Sequence, residues 1–290
     1  MSKHSIIRLT VSLSTINMST LSLSPLLFFF LVIILFTSKA QAYKNYRKFH
    51  YFCDQRNDRG DYITGSTYHN NLKIAFIYLT FNSKIDYGFY NTNYGQNNDK
   101  VNVIGICRGD INPQDCRKCL IGSRFNLTQA CPNKKEAIGW YEDEKCMLRY
   151  SDRSILGLNE IGPAYTMWNS NNATMADQLS ILVTQLLNDL RSKAINGDSH
   201  SKYVVGTSPG PSNNQSPSQQ SSGETIYGLV QCTPDLSGPQ CDDCLLQSIA
   251  GISRFSNRSS ARMIRPSCYL RFATSYQFYQ PKPKLASQLP

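Results

Sequence analysis

The sequence predicts an α+β protein of two tandem domains, each an antiparallel β-sheet packed against two α-helices and stapled by disulfides. Two observations lead to this prediction. The spacing C-x8-C-x2-C occurs twice, in CRGDINPQDCRKC (107–119) and in CTPDLSGPQCDDC (232–244). Each copy follows a segment with helical apolar spacing and an extended apolar run, and each precedes further extended runs. Self-similarity over such a length indicates a duplicated structural unit.

The chain begins with a segment typical of a secretory signal peptide. Residues 21–37 form an apolar run without a charge, and Ala40 and Ala42 stand at the small-residue positions of a cleavage site. The alternative is a membrane anchor, because the run is nearly long enough to span a bilayer. The Ala-x-Ala ending and the polar sequence beyond it favour cleavage. We therefore predict a signal peptide over 1–42 and a secreted mature chain without a membrane span.

Size and charge narrow the function classes. Without the signal peptide about 248 residues remain, and the net charge falls from +10 to about +7. That length suits two ordinary domains. The basic residues are scattered, without a long run or an interleaved aromatic pattern, so nucleic-acid binding is not predicted. The surplus positive charge supports only a weak attraction to acidic surfaces.

The ten cysteines are interpreted as structural. An even number in a secreted chain indicates disulfides. Zinc would need four gathered ligands and only three histidines lie beyond the signal peptide, so no metal or cofactor is predicted. CRKC and CDDC match a redox pattern, but that site needs a βαβ context, and here a third cysteine precedes each pair at a fixed distance. The cysteines are Cys53, Cys107, Cys116, Cys119, Cys131, Cys146, Cys232, Cys241, Cys244 and Cys268.

The first helix of each domain is predicted from an apolar stripe at helical spacing, within 70–84 and 175–194. The stripe residues are Leu72, Ala75, Phe76 and Leu79 in the first domain, and Leu179, Leu182, Val183, Leu186, Leu187 and Leu190 in the second. A polar, turn-rich stretch follows each helix, at 91–100 and at 206–224. The second stretch is predicted to be a flexible surface loop.

The remaining elements follow from the cysteine motifs. Extended runs lead into Cys107 and Cys232, and Pro113 and Pro239 can each open a second helix. Two cysteines three residues apart on that helix share a face but reach different neighbours, so one can clamp the strand before and the other a strand after. Those later strands are AIGWYEDEKCMLRYS and ARMIRPSCYLRFATSYQFY. The order β-α-β-α-β-β implies an antiparallel sheet with two helices.

With both cysteine motifs, IYGLVQCTPDLSGPQCDDCL and RPSCYLRF, the chain resembles the plant cysteine-rich repeat secretory proteins, which are built of tandem ginkbilobin-homologous domains. The resemblance covers nearly all of the mature chain and places the two domains at 43–155 and 161–280. The same domain pair forms the outside of plant cysteine-rich receptor-like kinases and of plasmodesmata-located proteins. The resemblance therefore implies that this chain is an extracellular protein of the apoplast.

The resemblance also implies five disulfides within domains. They are Cys53–Cys131, Cys107–Cys116 and Cys119–Cys146 in the first domain, and Cys232–Cys241 and Cys244–Cys268 in the second. The long Cys53–Cys131 loop would contribute about 4 kcal/mol and a short loop about 3 kcal/mol. The second domain has no counterpart of Cys53 or Cys131, so we expect it to be the less stable domain.

Ginkbilobin-type domains include a mannose-binding lectin with antifungal activity. Its sugar site uses an Asn directly after the first cysteine, an Arg six residues before the last, and a Glu five residues after it. In the first domain these positions read Asp54, Trp140 and Ser151, and none matches. In the second domain Arg262 matches the Arg, while Ala273 replaces the Glu. We expect the mannose site to be largely lost, with Arg262 as the residual sugar contact.

Two function classes remain open. One is a non-catalytic interaction module that binds a cell-wall glycan or an extracellular protein. The other is a small secreted enzyme or antifungal defence protein with an unrecognised site. The sequence favours the first, because no nucleophilic cysteine with a plausible histidine partner remains once the disulfides form. EDE at 142–144 is predicted to be a solvated turn or strand edge, and RGD at 108–110 to be coincidental.

Four N-glycosylation sequons fit a secreted chain: Asn126, Asn172, Asn214 and Asn257. Asn214 lies in the polar loop and is expected to be modified most readily. Asn126 lies on the predicted second helix, where packing competes with modification.

Overall fold

The computed structural model describes residues 30, 49–54, 59–81, 88–141, 144–173, 175–197, 202–211 and 224–280. The signal peptide predicted over 1–42 lies outside these residues except for Phe30, and Asn214 lies outside them as well. Within the described ranges no helix has the length and apolar character needed to cross a membrane.

The first domain is a five-stranded antiparallel sheet with two helices on one face. Its strands lie in the order β1-β4-β5-β3-β2. In chain order the elements are β1 (His50–Cys53), α1 (Thr67–Phe81), β2 (Phe89–Tyr94), β3 (Val101–Cys107), α2 (Pro113–Ala130), β4 (Ala137–Tyr141) and β5 (Cys146–Ser151).

The second domain repeats this arrangement, with the strand order β6-β9-β10-β8-β7. In chain order its elements are β6 (Tyr165–Trp168), α3 (Ala176–Ile195), β7 (Lys202–Pro209), β8 (Thr225–Cys232), α4 (Gly238–Ile252), β9 (Ser260–Ile264) and β10 (Cys268–Thr274). The predicted fold class is confirmed.

The predicted element order omitted one strand in each domain. Residues 91–94, predicted to be a turn, continue β2, and residues 206–209, predicted to be loop, end β7. Both are edge strands, with one long side facing away from the sheet. An edge strand can carry polar residues such as those of FYNTNY without losing its pairing, so its alternation pattern is weak.

The second helix of each domain begins where the sequence predicts, whereas α1 begins at Thr67, three residues before the predicted segment. Asn112 caps α2 by accepting a hydrogen bond from the backbone N–H of Asp115, and Pro113 follows it at the first helical position. Ser237 and Gln240 form a capping box at the start of α4. The predicted apolar stripes of α1 and α3 pack on the sheets, and only Leu182 among them is less than fully buried.

Five disulfides staple the two domains, in the pairs that the resemblance implies. In each domain one cysteine of the second helix bonds to the end of the preceding strand and the other bonds to the start of the last strand. Cys119–Cys146 and Cys244–Cys268 are the bonds to the last strand. The helix is therefore fixed to two neighbouring strands at once.

A ring stack stands where the second domain lacks the third disulfide. Cys53 pairs with Ala137 of β4, which in turn faces Tyr150, four residues after the last cysteine of the first domain. Trp168 pairs with Ala261 of β9, which faces Phe272, four residues after the last cysteine of the second domain. Trp168 is therefore the counterpart of Cys53. Counting from the second helix, Ser256 is the counterpart of Cys131. The indole of Trp168 stacks on the neighbouring Phe255, with ring centroids 4.2 Å apart and planes 14° apart.

We predict that Trp168→Ala lowers the free energy of unfolding of the second domain by about 2 kcal/mol, because it removes the stack and about half of a buried aromatic surface. Leu246→Ala is the matched control, since Leu246 is also about half exposed, at 48% against 49% for Trp168. Urea denaturation with domain-resolved hydrogen exchange measures the change. Equal small effects of the two substitutions would contradict a stabilising stack.

Candidate functional site at the domain interface

The RGD turn is buried between the two domains. Arg108 donates from Nε and Nη2 to both carboxylate oxygens of Asp110, at 2.6 and 3.0 Å. The side chains of Arg108 and Asp110 are 8% and 1% exposed. Burial alone would lower the pKa of Arg108, but the hydrogen bond to Asp110 and the charge interactions with Asp110 and nearby tyrosines together outweigh it and raise that pKa. Both side chains are buried and bonded to each other within the interface, so the RGD sequence is structural and is not an exposed recognition tripeptide.

The second domain holds this turn by its backbone. Gln231 of β8 donates from Nε2 to the carbonyl of Cys107 at 3.0 Å and accepts from the N–H of Gly109 at 3.2 Å. A Cβ on Gly109 would overlap the ring of Tyr203, so only glycine permits this approach. We call residues 107–110 together with Gln231 and Tyr203 the RGD clamp.

The segment after β10 completes the RGD clamp from outside. The carbonyl of Phe278 accepts from Nη2 of Arg108 at 3.4 Å, and the N–H of Gln280 donates to Asp110 at 3.0 Å. The ring of Phe278 also lies under the guanidinium of Arg271, 4.3 Å from its carbon. The last described residues of the second domain are therefore tied to the first domain by a charged pair.

An apolar cluster joins the sheets beside the clamp. On the face of the first sheet that points away from the helices, Trp140 is 4% exposed and packs with its neighbours on β2, β3 and β5. The second domain contributes Ile264, with Met167 and Tyr269 packed against it. Trp140 is thus a core residue of the interface, and it is not available to stack on a sugar.

Glu144, the last residue of the EDE motif, contacts the second domain. Glu144, predicted to lie in a solvated turn or strand edge, has a side chain only 2% exposed and forms an ion pair with Arg262 at 3.3 Å. The prediction was wrong for Glu144, because its carboxylate is paired with an arginine of the second domain, while Glu142 and Asp143 lie outside the described residues. Arg262 also lies 3.1 Å from the sulfur of Met167. The guanidinium that matches the sugar-site Arg therefore already faces a carboxylate of the first domain.

Strand register revises which residues correspond to the sugar site. Since Trp168 stands at the position of Cys53, Asn169 is the counterpart of the Asn that directly follows the first cysteine, a match that counting from cysteines could not find. Arg262 pairs with Arg271, which lies three residues after the last cysteine of the second domain. The matching residue of the first domain is Arg149, and it pairs with Ile138, so Ile138 is the counterpart of Arg262. The first domain still lacks the Arg. The second domain has the Asn and the Arg without the Glu.

The linker between the domains is anchored by a charged network. Glu136 accepts hydrogen bonds from Arg149, Ser151 and Arg153, each at 2.8 or 2.9 Å. Both arginines also form ion pairs with Glu160 in the linker. Burial would raise the pKa of Glu136, but the hydrogen bonds from the two arginines and the serine outweigh it and lower that pKa. Ser151, the counterpart of the sugar-site Glu, serves this network.

The linker is bonded equally to the second domain. The N–H of Gly157 donates to Asp235 at 2.6 Å, and its carbonyl accepts from Gln240 at 3.0 Å. The N–H of Glu160 donates to the hydroxyl of Ser267 at 2.7 Å. A linker fixed at both ends restricts the relative motion of the domains.

Two cavities lie along the interface. One, of about 40 Å³, borders the RGD clamp and is lined by Trp140, Glu144 and Tyr269 among others, which leaves room for a few water molecules. The other is a groove of about 650 Å³ to which both domains contribute. Phe89 and Asn91 of β2 line one side, and residues 234–238 of the second domain line the other. We call this second cavity the interdomain groove.

The described sequons differ in exposure. Asn126 is half-buried on α2 and donates its side-chain amide to the carbonyl of Gly122 at 3.0 Å. Asn172 is exposed and accepts from the guanidinium of Arg258. Asn257 is half-buried in the turn after Phe255. Within the described residues no group of three or more His, Cys, Asp or Glu side chains is arranged to hold a metal ion.

Comparison with known proteins reveals close similarity to one family. The model of the salt stress response/antifungal family matches residues 52–153 and again residues 166–275. Cysteine-rich receptor-like protein kinase 26 of Arabidopsis thaliana is 36% identical over 228 residues, which cover 78% of this chain and 32% of the kinase. Kinase 41 of the same plant is 37% identical over 208 residues, covering 68% and 29%. The chain thus spans about a third of the length of these relatives.

Two solved structures share the fold. The tandem DUF26 ectodomains of the cysteine-rich receptor-like proteins PDLP5 and PDLP8 of Arabidopsis thaliana match with TM-scores of 0.60 and 0.61 at 22% identity. Each alignment covers 78% of this chain, and 98% and 96% of the respective ectodomain. The tandem-domain resemblance found in the sequence is therefore confirmed, and in these two proteins the tandem is an ectodomain.

We predict that Gly109→Ala loosens the domain pair, because the added methyl group forces Tyr203 away from the RGD clamp. Overpacking of this kind costs about 1–3 kcal/mol. Hydrogen exchange at the N–H of Gly109 and in β8 should accelerate, while exchange in the cores beneath the helices stays unchanged. Gly122→Ala is the control, since a Cβ there meets only ordinary contacts with Tyr141. Unchanged exchange in both variants would contradict the clamp.

The linker network predicts loss of stability in acid. Because the folded pKa of Glu136 is lowered, its contribution is complete above the ordinary Glu value of 4.5 and is lost as the pH falls through the lowered folded value. Glu136→Gln should destabilise the protein by about 3 kcal/mol near neutral pH. As the pH is lowered from 5, the unfolding free energy of the Glu136→Gln variant should then fall less than that of the wild type. Urea titration at each pH measures both free energies. Parallel curves for the two proteins would refute this role.

Proposed function

Because this chain belongs to the salt stress response/antifungal family, we propose that it is a secreted, non-catalytic recognition module of the plant apoplast. Its ligand is a cell-wall glycan or an extracellular protein, bound outside the mannose site of the family. The proposal rests on the domain pair: the two domains belong to one compact unit, with the interdomain groove between them. Concave sites between domains are preferred places for ligands.

The charged residues of the interface favour recognition over catalysis. Asp110, Glu136 and Glu144 are each held in ion pairs with arginines. Carboxylates that are neutralised in this way stabilise the domain pair. A glycoside hydrolase would instead need two carboxylates facing each other across an open cleft. An enzyme or an antifungal protein with an unrecognised site is the alternative, and a screen for hydrolase activity separates it from the recognition module.

The groove offers groups suited to a polar ligand. Asn91 on the edge strand β2 is exposed, and Asp235 and Ser237 lie at the opposite wall. Leu156 of the linker adds an exposed apolar contact. A few polar groups around apolar surface are the usual composition of a small-ligand site.

Binding should be lost when the groove is filled. Wild-type protein and the variant Asn91→Trp are compared on an array of plant cell-wall oligosaccharides and against extracellular plant proteins, with Asn70→Trp on the exposed face of α1 as control. We expect ligands that bind the wild type and the control variant, and at least tenfold weaker binding to Asn91→Trp. Equal binding by all three proteins would exclude the interdomain groove. Hydrolysis of an array member would favour the enzyme alternative.

Mannose affinity should be weak or absent in the wild type, because Arg262 faces Glu144 and Ala273 supplies no carboxylate. The double variant Glu144→Gln, Ala273→Glu should raise mannose affinity at least tenfold, since it returns the missing charge and frees the guanidinium. The control is the double variant Glu144→Gln, Ala273→Gln, because glutamine has the shape of the added glutamate without its charge. Calorimetric titration distinguishes the three proteins. Tight mannose binding by the wild type would contradict the proposed loss of the site.

A further inference from the structure

The stack of Trp168 on Phe255 leaves a large apolar surface in solvent. Trp168 is 49% exposed although its ring lies on Phe255. In the first domain the same place is closed by the disulfide Cys53–Cys131. An aromatic ring that stabilises a domain while half of it faces water gains stability when a further group covers it.

A sequon lies directly beside this stack. Asn257 follows Phe255 by two residues, in the turn after a 3₁₀ segment, and its backbone carbonyl accepts from the N–H of Ala173 at 2.9 Å. That hydrogen bond ties the turn to the chain that leaves β6 five residues after Trp168. The hydroxyls of Ser256 and Ser180 fix the turn further, at 2.6 Å. Asn257 is therefore held in a defined position, two residues along the chain from the ring of Phe255 on which Trp168 stacks.

The side chain of Asn257 is oriented for modification. Its Oδ1 is buried and has no hydrogen-bond partner among the described residues, while the residue as a whole keeps part of its surface in solvent. Nδ2 of Asn257 has no hydrogen-bond partner among the described residues, and unlike Oδ1 it is not buried, so it faces solvent. The other nearby sequon differs, since Oδ1 of Asn172 is engaged by Arg258 at 2.5 Å.

We propose that Asn257 carries an N-glycan whose first N-acetylglucosamine packs on the exposed face of Trp168. The transfer takes an oligosaccharide from a lipid-linked diphosphate donor. The bond from sugar C1 to the diphosphate oxygen breaks, a bond from C1 to Nδ2 forms, Nδ2 loses a proton, and the lipid diphosphate leaves. The C–H face of the sugar ring is apolar and matches an aromatic surface. The glycan thereby covers the ring stack that replaces the third disulfide.

The inference is tested on the full chain secreted by plant cells. Peptide mapping after an amidase that converts glycosylated Asn to Asp measures occupancy at each sequon, and Asn257 is expected to be occupied. The chain has two tryptophans, and Trp140 is only 4% exposed, so acrylamide quenching of fluorescence reports on Trp168. The quenching constant should at least double in Asn257→Gln. Asn172→Gln is the matched control and should leave it unchanged.

Thermal melting provides the second readout. Asn257→Gln should lower the Tm of the secreted protein by about 2–4 °C. The same substitution in a Trp168→Leu background should have less than half of this effect, because the surface for the sugar is gone. If Trp168→Leu is not secreted, comparison of amidase-treated and untreated wild type by quenching replaces it. Any of three outcomes would overturn the proposal. They are an Asn257 without a glycan, an equal quenching constant in wild type and Asn257→Gln, and an equal Tm change in both backgrounds.

Discussion

Burial on both faces of the central strands is the constraint on which this structure depends. In β3 and β5, alternate residues point to the helices and to the second domain, and nearly all of them are buried. A sheet with one face under helices and the other face apolar must cover that second face. The tandem arrangement provides the cover, because the outer face of the first sheet packs on the outer face of the second. Domain pairing is therefore part of folding and is more than a connection between finished domains.

Polar groups make this pairing specific. The apolar cluster around Trp140 could tolerate sliding, but Gln231 binds two backbone groups of one turn, and Arg108 with Asp110 binds the segment after β10. Leaving any one of these buried groups unpaired would cost about 1–3 kcal/mol, so alternative registers between the domains are disfavoured. The same logic applies to Glu144 and Arg262. Arg262, the residue that the resemblance assigns to a sugar contact, forms an ion pair across the domain interface in this chain.

The two domains reach stability by different means. The first has three disulfides, and the second has two disulfides with a stack of two aromatic rings at the third place. A disulfide acts chiefly on the unfolded chain, whereas a ring stack acts through contacts in the folded state. The second domain should accordingly open more readily, although the linker network and the RGD clamp bind it to its neighbour. Its stability is thus shared with the interface.

The sequence by itself determined the fold class, the two repeats, the helices and the cysteine framework, because these depend on local spacing along the chain. The start of α2 at Pro113 and the stripe of Leu179 to Leu190 are examples. It underestimated the edge strands β2 and β7, whose polar residues resemble turns. Only the tertiary structure decided the roles of Arg108, Glu144 and Arg262, and the equivalence of Trp168 with Cys53. The partners of those residues lie up to 170 positions away along the chain, and no local pattern encodes contacts between side chains so far apart.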